Sequence, residues 1–204
     1  MHSTIIVAHP EREALTQRIA RSIAGGITAG TPGASVELVD LAAEGFDPRY
    51  TAADNAVHLH RAPVPADVAA EQARLQRSDA LVLVYPVYWW SMPALLKGWI
   101  DRVFTSGWAY DDRADAVIRK KLGWLSVHLV AIGGADQGTY ARHGYEGAMK
   151  TQIDHGIFGY CGAPVVTSSL LLLSDPGAPD SLLERAGQIG RAVFPSSIPE
   201  EGTR

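Results

Sequence analysis

The residues with the most evident chemical potential lie between Tyr85 and Tyr110, in YPVYWWSMPALLKGWIDRVFTSGWAY. This stretch holds four of the five tryptophans: Trp89, Trp90, Trp99 and Trp108. Trp99 and Phe104 fall on the apolar side of a helical pattern, and core packing accounts for them. Tyr88, Trp89 and Trp90 instead follow an apolar run and precede a helix, so they occupy a strand-to-helix turn. Large aromatics there suit either a flat, partly apolar ligand or a subunit interface. A second chemical turn is HPEREALT, His9 to Thr16. It leaves an apolar run and opens a helix, whose unpaired N–H groups attract phosphate. A third is Gly133-Gly134, where absent side chains let backbone approach a ligand. His58 and His60 lack a third ligand at metal-site spacing. Cys161, the one cysteine, excludes an internal disulfide and reads as a small core residue.

The elements that must position these turns alternate. Apolar, β-branched runs predict strands at Ser3–Ala8, Ser35–Val39, Ala80–Tyr85, Trp124–Ile132 and Val165–Leu173. Helices are expected over Glu11–Ala24, Ala66–Arg77, Met92–Phe104, Glu146–Gly159 and Ser181–Phe194. Ser91 is expected to cap the third, with Pro93 in its first turn. Gly25, Gly26 and Gly30 read as the loop after the first helix. Asp40 to Pro65 is a long connection with a short helix near Ala52–His58. Gly107–Leu122 reads as an irregular excursion and Gly138–Tyr145 as a loop. Buried strands alternating with helices imply a doubly wound α/β fold with a parallel sheet. A flavodoxin-like five-stranded order, 2-1-3-4-5, accommodates them. Ligands then sit beyond the carboxyl ends of the first, third and fourth strands, where the three turns lie.

The chain has 204 residues, 47% apolar and 20% charged, with a net charge of −4. That suits one globular domain over residues 1–195, with 196–204 as a tail. The acidic balance argues against nucleic-acid binding. MHSTIIVAHP lacks a signal-peptide pattern, and no apolar run is long enough to span a bilayer, so a cytoplasmic location is expected. GxSxG, P-loop and GxGxxG motifs do not occur, which disfavours hydrolase, NTPase and dinucleotide-Rossmann readings.

PVYWWSMPALLKGWIDRVF followed by GWAY resembles the signature of the NAD(P)H:quinone oxidoreductases of the flavodoxin-like fold, the DT-diaphorase type and its bacterial relatives. The IIVAHP start, the Gly133-Gly134 turn and the Cys161-Gly162 pair agree more loosely. The resemblance implies a flavin, FAD with FMN as the alternative, and NAD(P)H as co-substrate. It places the flavin ring on Pro86, Val87, Tyr88, Trp89 and Trp90, its pyrimidine edge at Gly133 and Gly134, and its phosphate at His9 and Thr16. Tyr140 matches a charge-stabilising tyrosine, whereas the family's accompanying histidine position falls on Glu146, with His143 nearby. Two-electron transfer to a quinone and a homodimer are implied. Regulatory flavin-binding subunits of transport systems, and azo- or nitroreductases, share the pattern.

Overall fold

A computed structural model of the chain describes residues 1–112 and 117–194. The expected tail lies outside these residues. Five strands form one parallel sheet: β1 (His2–Val7), β2 (Ser35–Asp40), β3 (Ala80–Pro86), β6 (Ser126–Gly133) and β7 (Val165–Leu172). Their order, β2-β1-β3-β6-β7, is the expected 2-1-3-4-5. Alternating residues supply opposite faces, as strand geometry requires. From β3, Ala80, Val82 and Val84 enter one apolar cluster, and Leu81, Leu83 and Tyr85 the other. Both faces are covered, so the central strands read as continuous apolar runs.

Helices α1 (Leu15–Gly30) and α7 (Asp180–Ala192) cover the first face. Here the structure corrects the expected first helix at both ends. It starts at Leu15 rather than Glu11, and it runs through Gly25 and Gly26 instead of stopping there. Close packing explains the glycines. A Cβ on Gly26 would collide with the Gly187 carbonyl of α7, and one on Gly190 would collide with the Ile23 carbonyl of α1. The tertiary contact overrides the weak helix propensity of glycine.

The other face carries α2 (Ala52–His58), α3 (Ala66–Gln76), α4 (Ala94–Val103), α5 (Gln137–His143), α6 (Tyr145–Met149) and a π-helix over Lys150–Gly159. The expected loop at 138–145 is mostly helical, because Asp136 caps α5 by accepting from the Thr139 N–H at 2.7 Å. The expected single helix at 146–159 is α6 continued by the π-helix. Ser91 does not cap α4; its hydroxyl donates to Gln152 at 2.7 Å, and α4 begins after Pro93. Within 107–122, β4 (Tyr110–Asp111) and β5 (Arg119–Lys120) pair antiparallel.

The long connection after β2 is clasped to α4. Arg102, 5% exposed, donates to Asp54 (3.1 Å), Asp67 (2.7 Å) and the Asp47 carbonyl (2.8 Å). Thr51 and Asp54 form a reciprocal cap on α2. Gly98 of α4 is needed because a Cβ would strike Pro48. Among the described residues no helix is long and apolar enough to cross a membrane.

Candidate active site

Pro86 and Ile132 are paired in register at the carboxyl edges of β3 and β6, so the turns that follow leave the sheet side by side. Val87 N–H donates to the Ile132 carbonyl at 2.8 Å, which pins the first turn to the second. Tyr88 and Ser91 then exchange two main-chain hydrogen bonds of 3.0 Å each. Trp89 and Trp90, the two residues between, both have positive φ, 48° and 60°. This is a primed two-residue hairpin turn, a geometry that normally selects Asn-Gly. Left-handed backbone costs a side-chain-bearing residue roughly 1–2 kcal/mol.

Trp90 recovers part of that cost through packing. Its ring stacks on Tyr145, with centroids 3.7 Å apart and planes 12° from parallel, and meets Tyr140 edge-on at 5.4 Å. Trp89 recovers nothing from packing, since it is 93% exposed. Strain at an exposed aromatic is the pattern of a ligand-facing residue rather than a folding device. Among the described residues, the Trp89 and Trp90 N–H groups donate to no other residue. They are available to acceptors on a ligand.

Tyr140 forms the floor. It is 1% exposed, and burial raises its pKa, so the phenol stays a neutral donor. Its hydroxyl lies 2.5 Å from where a Cβ on Gly133 would stand. Gly133 is therefore needed to admit Tyr140, a role distinct from the ligand contact expected of it. Gly134 is exposed, with open space beside it. Val87, Trp89, Trp90, Gly134, Ala135 and Tyr140 together line an open cleft of about 200 Å³. Flat aromatic walls with main-chain donors at one edge and open backbone at Gly134 fit a planar heteroaromatic ring.

The expected residues do not all gather there. Val87, Trp89, Trp90, Gly134 and Tyr140 line the cleft, with Pro86, Tyr88 and Gly133 framing it. His143 is exposed and stacks on Tyr145, with centroids 5.1 Å apart, so it ends the column Trp90–Tyr145–His143. Glu146 pairs with Lys150 at 3.0 Å and lines a separate small cavity behind the cleft. Sequence reasoning missed Ala135 and Tyr145. The αL glycine at 144 (φ 68°), which ends α5 and turns the chain into α6, was a readable signal for Tyr145's placement.

His9 and Thr16 stand at the entry to α1. The His9 Nδ1 accepts from the Glu11 N–H at 3.0 Å, which leaves Nε2 as the ring's donor. No side chain caps α1, and its first turn contains no acidic residue. Among the described residues, the Leu15 and Thr16 N–H groups have no protein acceptor. Glu13 faces solvent and pairs with Arg21 at 3.7 Å. An imidazole donor beside an uncapped helix N-terminus suits a phosphate. His58 and His60 hold no metal cluster; among the described residues no three ligands gather. His60 pairs with Asp112 at 3.2 Å. Cys161 is buried, and burial pushes its thiol up to about 11, so it is not a thiolate nucleophile.

Comparison with known proteins agrees with this architecture. Residues 1–189 match the family described as having the flavodoxin-like fold. The ribosyldihydronicotinamide dehydrogenase (quinone) of Pongo abelii is 31% identical over 160 residues, 68% of each chain. An uncharacterized NAD(P)H oxidoreductase of Haemophilus influenzae is 27% identical over 206 residues, covering 98% of this chain and all of its own. Among solved structures, the NAD(P)H:quinone oxidoreductase from Methanothermobacter marburgensis superposes with a TM-score of 0.82 at 26% identity, covering 95% of this chain and 99% of its own. The sheet order, the cleft at the β3–β6 edge and these likenesses agree: the chain belongs to the flavodoxin-like family, within its NAD(P)H:quinone oxidoreductases.

Proposed function

We propose that this protein is a flavin-dependent NAD(P)H:quinone oxidoreductase. The observation that carries the reading is the cleft at the β3–β6 edge, with its strained Trp89-Trp90 turn and buried Tyr140. A bound flavin, FAD or FMN, would supply the capacity to accept a hydride from NAD(P)H and pass two electrons to a flat acceptor. The protein's part is to bind, orient and tune. The Trp89 and Trp90 N–H groups would donate to acceptors on the ring, and Gly134 leaves room for close backbone approach. Tyr140 offers a neutral hydroxyl where negative charge collects on reduction, in the manner of an oxyanion hole. His9 and the first turn of α1 hold the phosphate. His143 acts on the cleft through Tyr145. Glu146 is held by Lys150 as a carboxylate and does not stand in for the family's histidine as a proton donor. A second copy of the chain is the proposed cover for the exposed Tyr88 and Trp89 at the rim, giving a homodimer.

The absorption spectrum of the purified protein tests this. Flavin bands that bleach on adding NAD(P)H and return on adding quinone are the expected result. The mass of the released chromophore assigns FAD or FMN. A colourless protein that takes up neither flavin would overturn the reading.

A further inference from the structure

The turn that carries Trp89 and Trp90 is left-handed at both residues, a conformation that persists only where the surrounding structure holds it. Two main-chain bonds between Tyr88 and Ser91 close the turn. A further hold comes from one helical run, α6 continued by the π-helix, which grips two consecutive residues. Tyr145, the first residue of α6, stacks on the Trp90 ring with centroids 3.7 Å apart and planes 12° from parallel. Gln152, in the first turn of the π-helix, accepts a 2.7 Å hydrogen bond from the Ser91 hydroxyl. His143 stacks on Tyr145 in turn, with centroids 5.1 Å apart. Trp90 also meets Tyr140 edge-on at 5.4 Å, which keeps its ring at the wall of the cleft. Tyr145 and Gln152 themselves do not line that cleft.

We propose that Tyr145 and Gln152 are positioning residues: through Trp90 and Ser91 they hold the strained turn closed, and so aim the Trp89 and Trp90 N–H groups at the ligand. The inference deepens the flavin reading of the cleft and rests on it. Donors fixed in advance bind an acceptor more tightly than donors that must be ordered on binding. A turn that relaxes to negative φ at Trp89 and Trp90 rotates these peptide planes and carries the N–H groups elsewhere. Only the closed fraction of the protein then presents the site, and apparent affinity falls with that fraction. The clamp sets two requirements on residue type. Position 145 needs a flat ring but no hydroxyl, and position 152 needs an oxygen that accepts from Ser91.

The test breaks the clamp with Tyr145→Leu and Gln152→Leu. Tyr145→Phe and Gln152→Glu keep the stack and the acceptor. Leucine is a good helix former at both positions. The first readout is hydrogen exchange in the flavin-free protein at the Tyr88 and Ser91 amides, whose bonds close the turn. Exchange is expected to quicken about tenfold in Tyr145→Leu and about threefold in Gln152→Leu, whose side chain is exposed. The Ile5 and Ile6 amides of β1 should keep the parent's rates in every variant, and Tyr145→Phe and Gln152→Glu should match the parent throughout. Ser91→Ala should match Gln152→Leu, with no further change when the two are combined. The second readout is titration with FMN and with FAD. Kd is expected to rise up to about tenfold in Tyr145→Leu and up to about threefold in Gln152→Leu. Parental exchange at Tyr88 and Ser91 in both leucine variants would overturn the inference. So would quickened exchange in both with flavin affinity unchanged. A parent protein that takes up neither flavin would overturn the functional reading, and the clamp would then stand or fall on the exchange rates alone.

Discussion

The two faces of the sheet are built to opposite specifications. On the α1/α7 face the helices touch backbone to backbone at Gly26 and Gly190, and the cluster beneath is mostly aliphatic, with Ile5, Val7, Ile19, Ile23, Val82 and Val130. The opposite face holds Trp99, Tyr85 and Tyr140 in its core, with the cleft and the small cavity among them. Several of its buried polar groups are paired. Trp99 Nε1, for example, donates to Glu71 at 2.8 Å, and Arg102 satisfies two carboxylates. Dense backbone-to-backbone packing marks one face as the one that holds the fold. Cavities, strained backbone and buried phenols mark the other as the one that does chemistry. A change on the first face should therefore cost stability and leave chemistry intact in whatever remains folded, and a change on the second should do the reverse.

The largest expected effect is on the first face. Gly190→Val forces a side chain into the Ile23 carbonyl, with no room to relax between two helix backbones. A loss of about 3 kcal/mol or more is expected by urea denaturation. Flavin content per folded molecule should stay at the parent's level. A normal stability would break the comparison.

Next is a polar weakness of that face. His128 is fully buried in β6; its Nδ1 meets the Thr167 hydroxyl at 3.2 Å and its Nε2 has no partner. Burial lowers its pKa from 6.5 to about 4. In the unfolded chain the imidazole takes up its proton near its ordinary value, so between those limits the unfolded state binds more protons. Stability is then fully present above about pH 6.5 and falls as pH drops towards 4, by about 3 kcal/mol in all. His128→Phe should flatten the stability profile in that window. Asp54 and Asp67, whose pKa values are lowered by Arg102 and local hydrogen bonds, lose their contribution only at lower pH, through the acid limb of the carboxylate range. An unchanged profile in His128→Phe would show that this histidine does not set the acid limit.

On the second face, Gly133→Ala places a Cβ 2.5 Å from the Tyr140 hydroxyl. Displacement of Tyr140 should cut kcat about tenfold, equivalent to roughly 1.4 kcal/mol of transition-state stabilisation, with a smaller change in denaturation midpoint. The smallest effect sharpens the contrast most. Trp89→Asn replaces a left-handed residue that packs against nothing with one that tolerates the conformation. A gain of up to about 1 kcal/mol is expected, alongside weaker flavin retention. A Trp89→Asn protein that loses stability would show that Trp89 serves the fold after all.

The alternation of buried strands and helices was legible because parallel strands covered on both faces must be apolar throughout. The cleft turns were legible because chemistry collects where the strand order reverses, and three unusual turns fell there. Boundaries were less legible. The glycines at 25, 26 and 30 carry the signal of a loop, and only the presence of α7 turns them into a helix contact. Ser91 is a good cap by type, yet its hydroxyl is taken by Gln152, sixty-one positions away. The Arg102 clasp joins residues separated by 35 to 55 positions, with no local pattern to announce it.

The sequence by itself determined the fold class, the strand order and the turns that carry the cleft, because these follow from local periodicity and from a topology with few alternatives. It also supplied the aromatic turn by residue type, and Tyr140 through the resemblance to the family. Only the tertiary structure decided that two tryptophans would sit in left-handed backbone, that Gly133 would make room for a phenol, and that Glu146 would turn away to Lys150. It alone brought Tyr145 and Gln152 to one turn. Each of these depends on side chains from distant segments meeting at a few ångströms, and a pattern read along the chain contains no such distances.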